Sequence, residues 1–72
     1  QWVQIAKVHS NGEAEIIRGM LEAQEIETLL AQEGAAKALG LSIGSLGEIQ
    51  IHVKADDEDL AREIVQNFFD AE

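Results

Sequence analysis

The chain has no cysteine, which excludes disulfides and thiolate metal sites together. His9 and His52 are then its only strong ligands for a transition metal. A site shared by them would need a third ligand that the sequence does not supply. Both are expected to be solvated, and no metal or cofactor is assigned. Cations are scarce as well: five Lys and Arg stand against 14 Asp and Glu, a net charge of −9. That balance excludes nucleic acid, whose binding depends on neutralising phosphates, and anionic membrane surfaces for the same reason. No apolar run approaches the roughly 20 residues of a membrane span, and no signal-peptide pattern opens the chain. A cytoplasmic protein is the expectation. The start at Gln1, without Met, is read as the mark of a trimmed or incomplete chain.

What is present is enough for one small domain, residues 1–72, with 46% apolar residues for its core. A chain of this size buries only about 60% of its unfolded surface, so added stability would come from oligomerisation or a longer parent chain.

Trp2–Val8 has the pattern of a strand, with Val3 and Ile5 on one face and Trp2, Gln4 and Ala6 on the other. Ser10 and Glu13 then have capping-box spacing for a helix that runs to Gln24. Ala14, Ile17 and Leu21 recur at helical spacing, and Ile16 and Met20 widen the apolar arc to about half the circumference. Arg18 has Glu15 and Glu22 as helical neighbours. Residues 26–32 form a second strand, with Ile26, Thr28 and Leu30 facing one way. Residues 48–54 alternate cleanly: Ile49, Ile51 and Val53 inward, Glu48, Gln50, His52 and Lys54 outward. Asp56 is placed as the cap of a last helix, with Asp57, Glu58 and Asp59 in its first turn. The acidic cluster lacks the spacing of a calcium loop and is assigned to that helix start. Leu60, Ala61, Ile64, Val65, Phe68 and Phe69 give this helix an apolar side.

Strand, helix, strand, strand, helix predicts an α+β fold of truncated ferredoxin-like βαββα type. Its three-stranded antiparallel sheet has the order 1-3-2, with two helices on one face. The usual fourth strand is missing, which leaves the first strand at an edge where two copies could pair.

Two regions attract function. Residues 34–47 hold Gly34, Gly40, Gly44 and Gly47, four of the six glycines, among Leu39, Leu41, Ile43 and Leu46. A connection this long is uncommon in a compact domain, and it is read as a mobile, partly apolar flap. Lys37, Gly40, Ser42, Gly44 and Ser45 are its candidate ligand-binding residues. No spaced-glycine phosphate motif matches, and no histidine neighbours Ser42 or Ser45 in sequence, so no catalytic residue is assigned. The second region is the sheet face turned away from both helices. Trp2, Ala6, Leu29, Ala31 and His52 are its candidate interface residues, because an exposed patch with a tryptophan and a leucine marks a contact surface.

The path through residues 13–26, the glycine-bearing loop, residues 49–53 and residues 57–64 resembles a small prokaryotic family of signal-transducing proteins, a domain of unknown function. The resemblance rests on Ala14-Glu15 with Leu21-Glu22 and on Asp57 with Ala61, and it covers nearly the whole chain. It implies a fold similar to the PII-like branch of the ferredoxin-like proteins, and it carries no ligand or catalytic residue across. The sequence departs from the family at Glu25, where Gly is usual before Ile, and at Lys54, where Pro is frequent.

Together these point to a non-enzymatic regulatory or signal-transducing interaction module that acts through a flexible loop and an open sheet face. Its expected partner is another protein or a second copy. The alternatives are a small-molecule sensor whose 34–47 loop closes over a ligand, and a small enzyme that needs a partner subunit.

Overall fold

The computed structural model describes residues 1–32 and 48–71. In chain order these form β1 (Trp2–Val8), α1 (Asn11–Ala23), β2 (Thr28–Ala31), β3 (Ile49–Lys54), a 3-10 turn (Ala55–Asp57) and α2 (Glu58–Asp70). The 34–47 flap and its candidates Lys37, Gly40, Ser42, Gly44 and Ser45 lie outside the described residues.

The strands form one antiparallel sheet of order β1-β3-β2, so the fold is α+β and ferredoxin-like. Both helices pack on one face. Ile17 and Leu21 of α1 and Ala61 and Val65 of α2 meet Ile49, Ile51 and Val53 of the central strand in a single buried cluster. Ile17, Leu21, Ile51 and Val53 are wholly removed from water. Ile64 is half-buried and packs against the cluster from its margin.

The ends of α1 follow local chemistry. Ser10 Oγ accepts the Glu13 N–H at 3.3 Å, and the Ser10 carbonyl accepts from Ala14 at 3.0 Å. Arg18 takes Glu15 as its partner, at 2.9 Å. At the far end the Ile26 N–H bonds to the Leu21 carbonyl and the Glu25 N–H to the Glu22 carbonyl, the paired bonds of a Schellman cap. The cap needs a left-handed residue at Glu25, and its φ is 62°. An L side chain strains this conformation by about 1–2 kcal/mol, whereas glycine does not. Glu25 therefore stands where the backbone itself calls for glycine. Glu25→Gly should stabilise the fold by about 1 kcal/mol, net of glycine's greater freedom when unfolded. The melting temperature would then rise by about 4–8 °C. An unchanged melting temperature would mean that the Glu25 side chain offsets its own strain.

Three expectations need correction. The register of β1 slips between Gln4 and Ala6, so that Gln4 pairs with His52 while Ala6 pairs with Ile51. The extra residue, Ile5, is a bulge, and it turns Ala6 onto the helix-facing side, against the core. Ala6 is therefore not on the outward face. The last helix does not start from an Asp56 cap: a 3-10 turn absorbs Asp56 and Asp57, the cap position is Asp57, and no side chain bonds there. The acidic residues at this end still match the helix dipole. Finally, the outward face is not open. Gln50 and His52 are 5% and 4% exposed, and Ala31 is 0%. The β3 alternation is real in residue type, yet the strand is buried on both sides.

Candidate functional site

On the sheet face away from the helices, register places Leu29 and Gln4 on either side of His52, and Ala31 and Lys7 on either side of Gln50. This brings four of the five interface candidates, Trp2, Leu29, Ala31 and His52, onto one surface, without Ala6. Only Trp2 and Leu29 keep partial exposure. The Lys54 ammonium sits 5.2 Å from the Trp2 ring centre and 3.9 Å from Glu27, a cation–π contact that shields one side of the indole. Further along, Gln50 Nε2 donates to Glu48 Oε1 at 3.3 Å, and Lys7 Nζ reaches Glu48 Oε2 at 3.7 Å. This half of the face is a buried polar row.

His52 is not solvated as expected. Its Nδ1 is buried without a hydrogen-bond partner. Burial pushes its pKa below the usual 6.5, and the nearby Gln50 backbone opposes the shift more weakly without reaching hydrogen-bond geometry. The sign for stability follows. Below pH 6.5 the unfolded chain takes up a proton that folded His52 resists, so stability falls with pH until the depressed folded value is passed. Melting temperatures from about pH 7 to pH 5 should decline less in His52→Gln than in the wild type. Parallel profiles would mean that His52 titrates alike in both states. His9, by contrast, is exposed at the end of β1. Among the described residues no group of three or more His, Asp or Glu is placed to hold a metal ion.

The β1 edge, the other route to self-pairing, is obstructed. The Ala55 N–H bonds to the Gln1 carbonyl at 2.9 Å beyond the Trp2–Lys54 pair, so by alternation the polar groups of Gln4 turn outward from the sheet. Arg62 of α2, held by Glu58 at 2.8 Å, donates to that Gln4 carbonyl at 3.1 Å. A bulge and a capped carbonyl side by side are devices that discourage an added strand.

The surface that stays open lies on the helices. A groove of about 520 Å³ runs between α1 and α2, lined by Met20, Ala23 and Gln24 from one and Ile64, Asn67, Phe68 and Ala71 from the other. None of these side chains is charged. Ile16, one turn before Met20, is 55% exposed, and Leu60 and Phe69 of α2 are 48% and 37% exposed. By sequence these residues belong to the apolar sides of the two helices. The signal available was the width of the α1 arc. A helix lying on one sheet needs a stripe of about 100°, and an arc of half the circumference exceeds it.

No helix of the described residues is long and apolar enough to cross a membrane. The chain matches no curated protein and no solved structure. A family model does match, over residues 2–68. That span takes in the sheet, α1, all but the last two residues of α2 and every groove residue except Ala71, and the chain belongs to the family described as Putative prokaryotic signal transducing protein.

Proposed function

We propose that the chain is a non-enzymatic module that serves signal transduction by docking another protein. One observation carries this reading: the uncharged groove between α1 and α2, continued one turn earlier on each helix by the exposed Ile16 and Leu60. A small domain gains nothing in its own core from large apolar groups left in water, and contiguous groups of this kind mark contact surfaces. Membership of a family with a signalling description supports the same reading. A second reading, a small-molecule sensor, has the groove volume in its favour, because about 520 Å³ suits a small apolar ligand.

The test places a photoreactive phenylalanine analogue at Phe68, which lines the groove, in cells that express the chain. Irradiation should yield adducts with one or a few proteins, and these should vanish when Ala23→Arg puts a cation in the groove. The absence of any adduct that depends on the groove, together with a melting shift of several degrees from one metabolite in a thermal screen, would replace docking by sensing.

A further inference from the structure

We propose that the groove between α1 and α2 receives a basic amphipathic helix of the partner protein. The inference rests on the docking function above and names the chemistry of what docks. Its first support is the charge that borders the groove. With 3.6 residues per turn, Ala61 and Val65 lie on the core side of the row Ile64, Phe68 and Ala71, and both are buried. Asp59, Glu63 and Asp70 lie on its solvent side, all exposed. On α1 the solvent side of Met20 and Ala23 carries Glu15 and Glu22. Arg62 is turned away and reaches across to Gln4 on β1, while Arg18 pairs with Glu15 at 2.9 Å, so that Glu22 carries the negative charge of the α1 wall. An apolar floor with acidic walls on both sides complements a helix with an apolar stripe between Lys or Arg residues.

The second support is Gly19. It lies in the interior of α1, where glycine is less favourable than alanine by about 1 kcal/mol. Nothing in the fold requires it. A Cβ built there meets no atom within 4 Å, and its backbone is not in the left-handed range. It is exposed, and one turn before the groove residue Ala23 it lies on the solvent side of the groove's α1 edge. A mid-helix glycine that its own fold does not use fits close approach by the backbone of another helix. Ala23, one turn on and also exposed, continues the low wall. A second copy of this chain is a poor occupant, since two molecules of charge −9 would bring acidic walls together.

The probe is a synthetic peptide of about 18 residues, with leucines on one helical face and lysines on the other. Its comparators are the same composition with the leucines dispersed, and the same design with glutamates for lysines. Amide chemical shifts should change around Met20, Ala23, Ile64 and Phe68, and both comparators should bind at least about tenfold more weakly. Gly19→Ala gives the sharpest result. It should raise the melting temperature by about 4–8 °C through helix propensity and yet weaken the peptide about tenfold, a loss that cannot come from unfolding. Ala23→Arg should weaken it similarly. Equal binding of the dispersed peptide, shifts confined to the sheet, or unchanged affinity in Gly19→Ala would overturn the proposal. So would a concentration-dependent dimer abolished by Ala23→Arg. A crosslinked partner that docks through an acidic or extended segment would overturn this inference and leave the docking function standing.

Discussion

Leu21→Ala should destabilise the protein by about 3–4 kcal/mol, within the range for a leucine truncated in a packed core. Leu21 is 0% exposed and lies in the cluster with Ile17, Ile26 and Ile51. It also serves the Schellman cap, because Ile26, whose N–H bonds to the Leu21 carbonyl at 3.0 Å, is the residue whose side chain packs back at such a cap. Truncation therefore opens a cavity and loosens the exit from α1 together. A domain of this length has about 4–11 kcal/mol in total, so about a quarter or more of its stability would go. Urea unfolding should show a lower midpoint at an unchanged slope. Ile16→Ala, five residues earlier and 55% exposed, should change stability by no more than about 0.5 kcal/mol. Similar losses in the two variants would mean that α1 is rotated relative to the sheet.

Ala31→Glu tests the other face and should cost about 3–5 kcal/mol, the penalty of an uncompensated buried charge. Alternation along β2 places Ala31 on the side away from the helices, and a surface position there would accept glutamate at almost no cost. Its 0% exposure and its place beside Gln50, itself 5% exposed, give the opposite expectation. Ala31→Leu separates charge from volume: overpacking alone should cost about 1–3 kcal/mol. A loss below about 1 kcal/mol for Ala31→Glu would restore the picture of an open sheet.

The order of elements, the sheet order and the helix-facing residues were legible because each depends on a repeat within one segment. Ile17 and Leu21 recur at helical spacing, and Ile49, Ile51 and Val53 at strand spacing, whatever surrounds them. The bulge at Ile5 was not legible, since it is a relation between β1 and β3 and leaves no mark on Trp2–Val8 alone. Ala6 was misplaced for that reason. The polar row Glu48, Gln50 and His52 was read as solvent-facing because alternation separates two faces without saying whether either is wet. The run Asp56, Asp57, Glu58 and Asp59 offered several equivalent caps, and the choice fell to backbone geometry. The groove residues were legible as apolar but not as exposed. How much of a helix its sheet covers is a tertiary quantity.

The strand order has a consequence for synthesis. Both strand pairs, β1 with β3 and β2 with β3, include β3, the last strand among the described residues. Until the ribosome has made Ile49–Lys54, neither pair can form. At about 5–20 residues per second the nascent chain therefore spends several seconds with β1 and β2 unpaired and α1 without its sheet. Emergence of Ile49–Lys54 supplies the partner for both at once, and Trp2 must then find Lys54 across 52 positions of chain. Among the described residues a product that stops short of β3 has neither of these strand pairs, so it would remain a substrate for chaperones and proteases rather than a smaller version of the fold.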